Sequence, residues 1–146
     1  MRKLLVGVLA AGAVFVAINA IGFGASGGGT VHKVKIPHSD RFTPFALTVH
    51  AGDKVKWTNT DTDDHTVVAD KAFDTAGHRR TNARLKGSGG TFSLRFKHPG
   101  TFIYYCRFHA HLDSHNQPVA PGPDGGIQSK NGNFGTPMSG VITVKP

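Results

Sequence analysis

The sequence predicts an all-β fold, a two-sheet sandwich, on three observations. Apolar and polar residues alternate with a period of two in successive short runs from Val34 to Val144. The 19 glycines and 8 prolines supply turn residues between those runs. All 9 acidic residues are aspartate, which is poor material for surface helices and normal for strands and turns.

Arg2 and Lys3 precede an apolar run from Leu4 to Phe23 that only Asn19 interrupts. A positive start followed by such a run marks an export segment. Its length is near that which spans a bilayer, and Gly22-Phe23-Gly24 and Ile18-Asn19-Ala20 are mediocre cleavage sites. Residues 1–29 are therefore a signal peptide or an uncleaved membrane anchor, ending in a glycine-rich tether from Ala25 to Gly29. If retained, the anchor leaves Arg2 and Lys3 in the cytoplasm and the domain facing outward.

Residues 30–146 form one domain. At this length a chain buries roughly two thirds of its unfolded surface, enough for a core without disulfide staples. Val34 and Ile36 alternate with lysines, and Phe45, Leu47 and Val49 form the next set, closed by a turn at Ala51-Gly52-Asp53. Val55, Trp57 and Asn59 share one face of the following strand. Asp61, Asp63 and Asp64 then make a loop from which His65-Thr66-Val67-Val68 enters another strand. Phe92, Leu94 and Phe96 alternate with Ser93, Arg95 and Lys97, and His98-Pro99-Gly100 turns the chain. Phe102, Tyr104 and Cys106 share an inward parity, as do Met138, Gly140, Ile142 and Val144 in the last strand. Seven or eight half-buried strands of this kind make a sandwich. Asp70 to Gly90 reads as a polar connection, and Leu112 to Pro137, rich in Pro, Gly, Asn and Ser, as a long functional or disordered loop.

Without Arg2 and Lys3, the 17 basic residues fall to 15 against 9 acidic ones. A basic excess invites nucleic acid, anionic membrane surfaces or acidic proteins. No arginine-rich recognition helix or basic-aromatic RNA motif appears, so nucleic acid is set aside. An acidic redox partner or the envelope surface fits better, with Arg79, Arg80, Arg84 and Lys86 as steering charges.

The single cysteine of an exported chain cannot form an internal disulfide, so Cys106 needs another role. His109 lies three residues beyond it, just after a strand. A thiolate and an imidazole so close can grip one soft metal ion. With a second imidazole and a weak axial thioether, the set is the trigonal arrangement that favours copper in electron transfer. His65 upstream and Met138 downstream supply both. In a sandwich these positions converge at one end, where loops cluster.

The chain here resembles the cupredoxins, specifically the plastocyanin-like blue copper proteins. The matching segments include Gly52-Asp53-Lys54-Val55-Lys56-Trp57-Thr58-Asn59, Asp64-His65-Thr66-Val67, Ala72-Phe73-Asp74, Pro99-Gly100-Thr101-Phe102, Tyr104-Tyr105-Cys106-Arg107-Phe108-His109 and Met138-Ser139-Gly140-Val141-Ile142. The resemblance implies a Greek-key sandwich and one type 1 copper. It implies His65, Cys106 and His109 as equatorial ligands and Met138 as the axial one. It also implies single-electron transfer between redox partner proteins rather than turnover of a substrate. One edge of His109 would show to solvent as the exit port, and Tyr105 would offer a second route.

One departure stands out: 28 residues separate His109 from Met138, where the family has only a few. His111, His115, Gln117, a backbone carbonyl or water then compete for the axial position, and His111 competes with His109. The three imidazoles at 109, 111 and 115 also admit a copper-delivery protein with a second metal. An oxidase or reductase lacks its usual cysteine-flanking histidines here, since Tyr105 and Arg107 flank Cys106, and a metal-free adhesive sandwich is the remaining alternative.

Overall fold

A computed structural model describes residues 29–70, 74–77, 80–129, 132–133 and 135–146, with the backbone alone at 129, 132 and 133. The apolar N-terminal run, Ala72, Phe73, His78 and Arg79 lie outside the described residues. Every regular element described is a strand, and no helix among the described residues is long and apolar enough to cross a membrane.

Eight strands make two sheets. The first is β1 (Val31–Ile36), β3 (Lys54–Asn59) and β6 (Thr91–Arg95), in the order β1-β3-β6. The second runs β2-β12-β7-β4-β5, from β2 (Ala46–His50), β4 (His65–Ala69), β5 (Thr81–Leu85), β7 (Gly100–Tyr105) and β12 (Ser139–Lys145). β1 pairs parallel to β3 and β2 parallel to β12, while the remaining ladders of both sheets are antiparallel.

The expected alternations define the core. Val34 and Ile36, Val55 and Trp57, Phe102 and Tyr104, and Ile142 and Val144 are all buried between the sheets. Trp57 is the centre of an aromatic cluster, 5.5 Å from Phe92, 5.4 Å from Tyr104 and 6.5 Å from Phe102 by ring centroid. Each such side chain stabilises by roughly 1.5–3 kcal/mol through burial, and aromatic pairing adds to that. Gly140 faces Tyr104 across the β7–β12 ladder. A Cβ there would come within 2.5 Å of the tyrosine ring, so glycine at this position lets Tyr104 lie flat over the last strand.

Three expectations need correction. Residues 70–90 are not merely a connection, because Thr81–Leu85 is the edge strand β5, paired with β4 from Ala69–Thr81 to His65–Leu85. Its inward residues are Thr81, Ala83 and Leu85, and only Leu85 is a large apolar side chain, so the alternation is faint. Residues 112–137 carry two short ribbons rather than plain loop: β8 (His111–Leu112) with β9 (Pro118–Val119), and β10 (Gln128–Ser129) with β11 (Gly132–Asn133). Phe45 precedes β2 and is exposed, so only Val49 of its alternating set is fully buried.

Candidate metal centre

His65, Cys106 and His109 meet at one end of the five-stranded sheet, each offering one donor atom within 4.8 Å of the others. His65 is the first residue of β4, and Cys106 follows β7, the strand beside it. The chain then turns tightly, with the His109 amide donating to the Cys106 carbonyl at 3.0 Å, which brings the histidine ring back over the sulfur. Cys106 Sγ lies 3.8 Å from His65 Nδ1 and 3.6 Å from His109 Nδ1. His65 and Cys106 are fully buried, and His109 is 6% exposed.

The sulfur rests in a bed of donors. The Thr66 amide donates to Sγ at 3.3 Å and the Thr66 hydroxyl lies 3.7 Å from it. That same hydroxyl accepts from the Arg107 amide at 2.9 Å, which locks β4 to the turn after β7. Burial alone pushes the Cys106 thiol up; hydrogen bonds from His109, His65 and the amides of Thr66 and Phe108 outweigh it and bring the pKa to about 6. The thiolate is therefore ready at neutral pH.

Met138 is fully buried against the same end. Its carbonyl accepts from the Cys106 amide at 2.9 Å and its amide donates to the His109 carbonyl at 3.2 Å. The main chain at Met138 thus clasps both ends of the cysteine–histidine turn despite the 28 intervening residues. His111 and His115 go elsewhere. Both are exposed, with His111 Nδ1 2.7 Å from the Pro121 carbonyl and His115 Nδ1 3.9 Å from Asp113. Gln117 is exposed as well.

The edge of His109 that meets solvent is narrow, its side chain 8% exposed. The inserted segment folds down on this turn, with the Asp124 amide donating to the Phe108 carbonyl at 2.8 Å. Gly122 passes so close that a Cβ would lie 2.4 Å from the Ala110 nitrogen. His109 reaches the surface only in a cleft it shares with Asp63, Asp64, Arg84, Phe108, Asp124 and Gln128.

Two carboxylates escaped the reading of the sequence. Asp61 Oδ2 lies 3.2 Å from His65 Nε2, and Asp40 Oδ1 lies 3.6 Å from Nε2 of both His65 and His109. Both aspartates are buried. Burial raises Asp40 above the ordinary carboxylate range although both imidazoles stand beside it. Burial also works to raise Asp61, but bonds from His65, Thr62, Asp63 and His38 bring it below that range. The only hint in the sequence was that Asp61 precedes His65 by four residues in a turn-rich loop.

The donor chemistry fits copper. One thiolate and two imidazole nitrogens converge in a buried pocket, the combination of soft and borderline ligands that suits this ion, and Met138 is at hand. A family model described as copper binding proteins, plastocyanin/azurin family, matches residues 31–114, which include His65, Cys106 and His109 and end before Met138. A chloroplastic plastocyanin of Physcomitrium patens is 35% identical over 72 residues, which span 47% of this chain and 43% of that protein. A purple cupredoxin from Nitrosopumilus maritimus matches in fold with a TM-score of 0.51 at 22% identity, over 78% of this chain and 99% of the other. An amicyanin mutant in its Cu(I) form matches with a TM-score of 0.53 at 22% identity, over 79% and 82%. The chain is thus a cupredoxin with one type 1 copper as its cofactor, and it belongs to the plastocyanin/azurin family of copper binding proteins.

Proposed function

We propose that this chain is an exported carrier of single electrons, with His65, Cys106 and His109 as the equatorial ligands of its copper and Met138 as the axial one. The observation that carries this reading is the approach of Cys106 Sγ to two Nδ1 atoms, at 3.6 and 3.8 Å, in a buried pocket. When bound, copper supplies the one-electron couple between Cu(II) and Cu(I). The protein's own part is to keep the donors still. Thr66 holds the sulfur, Met138 clasps the turn, and the β4 and β7 strands fix both to one sheet. A frame this constrained allows little reorganisation when the charge changes, and amide donors to the sulfur tune the potential. A buried, rigidly held donor set suits transfer of an electron rather than turnover of a substrate.

The unit that performs this role is residues 30–146, a monomer, with residues 1–29 as its export signal or membrane hold. Its partners are redox proteins, acidic at the docking face. The surface that suits them surrounds Tyr105, next to Cys106, where Arg80 and Arg107 line a groove with Asn82 and Asp70. The mouth at His109 is instead acidic, with three aspartates to one arginine. A copper-delivery role for the inserted segment gains no support, because among the described residues His111 and His115 join no group of potential metal ligands, and they face Pro121 and Asp113. Copper titration followed by visible absorption checks the reading: one copper per chain with an intense sulfur-to-copper band supports it, and two or more labile coppers without that band contradict it.

A further inference from the structure

The far side of the imidazole pair is lined by carboxylates that the ligand set leaves without a role. With Nδ1 of each ring committed to the copper, a neutral imidazole would carry its proton on Nε2, and a buried N–H without an acceptor is costly. Asp61 Oδ2 meets His65 Nε2 at 3.2 Å, within hydrogen-bond reach. Asp40 Oδ1, at 3.6 Å from both Nε2 atoms, is too far for a good hydrogen bond and acts as a charge set between the rings.

Both carboxylates are held there by the fold. Asp61 Oδ1 accepts from the Thr62 amide at 2.6 Å and faces His38 Nδ1 at 2.7 Å. The Asp61 amide donates to Asn59 Oδ1 at 3.0 Å, so the second carboxylate oxygen is left turned to His65. Asp40 has φ of 52°, uncommon for a residue other than glycine, and its amide donates to the Pro37 carbonyl at 3.2 Å. Its neighbours are tied to the inserted segment. Gln128 donates its amide to the Ser39 carbonyl at 3.1 Å, and Arg41 donates to the Gln128 carbonyl at 3.2 Å. The inserted segment therefore clamps the loop that delivers Asp40.

Two carboxylates 2% and 3% exposed, side by side, are unfavourable unless positive charge faces them. Of the groups around them, His38, which faces Asp61, is mostly exposed, and Asp63 adds a further negative charge. The positive charge that would answer both is that of the copper held by the imidazole pair. We propose that Asp40 and Asp61 are positioning residues of the copper centre, fixing the rings of His65 and His109 from behind and favouring the oxidised ion. This rests on the ligand reading above. The more highly charged ion gains more from nearby anions, so their removal favours Cu(I).

The test uses the full chain with Asp61→Asn, Asp40→Asn and, for comparison, Asp53→Asn, a buried carboxylate in the turn before β3 that accepts from the Thr30 and His50 amides instead. Midpoint potentials come from spectroelectrochemistry, and Cu(II) and Cu(I) affinities from competition with chelators. Asp61→Asn and Asp40→Asn raise the midpoint, with about a 10–100-fold loss of Cu(II) affinity and a smaller loss for Cu(I). Asp53→Asn stays near the unsubstituted chain. In the metal-free chain, NMR exchange of the His65 Nε2 proton with water accelerates in Asp61→Asn. An unmoved midpoint in both variants, or an equal shift in Asp53→Asn, overturns the proposal. If Asp40→Asn fails to fold, Asp61→Asn decides alone. If the unsubstituted chain shows no sulfur-to-copper band, the ligand reading fails, and an unchanged Nε2–H exchange rate then overturns the positioning role as well.

Discussion

On its sulfur side the centre is made of strands and hydrogen-bond donors, whereas on its imidazole side it is made of loops and carboxylates. Cys106 sits between β4 and β7 and receives the Thr66 amide. The two histidines turn their far nitrogens to Asp40 and Asp61, which arrive from the turns after β1 and β3. Each side supplies the partial charge that its ligand lacks: positive for a thiolate, negative for a ring N–H. The difference teaches that the sheet fixes where the sulfur is, while the loops set what charge the rings can carry.

The largest effect breaks the sulfur side outright. Cys106→Ala should abolish the visible absorption of the copper-loaded chain, and a surviving band would remove the thiolate from the site. Next comes the frame beneath it. Leu85 is fully buried on β5 opposite His65, so Leu85→Ala should cost about 2–5 kcal/mol in denaturant unfolding. A loss under 1 kcal/mol would mean that β5 does not brace the histidine strand. Thr66→Val leaves the Arg107 amide without its acceptor and should cost about 1–3 kcal/mol while moving the visible band. Under the proposed ligand set, Met138→Gln replaces a thioether with a harder donor, which should lower the midpoint potential; an unchanged value would show that Met138 is not bound.

The smallest effect concerns the metal-free chain. The Cys106 thiol is brought from 9.0 to about 6, so its contribution to stability is full above pH 9 and is lost as pH falls through 6. His65 and His109 resist burial, which lowers them, through Cys106 and the carboxylates, and end above 6.5. Their contribution is full below pH 6.5 and is lost as pH rises through the raised values. Melting curves of the metal-free chain should therefore peak near neutrality, and Cys106→Ala should flatten that peak.

The core and the ligand cluster were legible because their patterns are local. Val55-x-Trp57 and Phe102-x-Tyr104-x-Cys106 announce a buried face by parity alone, and the Cys106 to His109 spacing needs only one tight turn. The strand Thr81–Leu85 was not legible, since Asn82 and Arg84 flank a single strong apolar residue and the pairing with β4 supplies the rest. Asp40 and Asp61 looked like ordinary turn aspartates, because what makes them special is the position of His65 and His109 in space. The insertion read as loop for the same reason. Its grip on the site runs through main-chain bonds at Asp124 and Gln128, which no side-chain pattern encodes.

X-ray absorption at the copper edge of the Cu(II)-loaded chain tests the central claim most directly. The account predicts one short sulfur neighbour together with two imidazole nitrogens, the sulfur disappearing in Cys106→Ala. A shell of nitrogen and oxygen alone in the unsubstituted chain would contradict it.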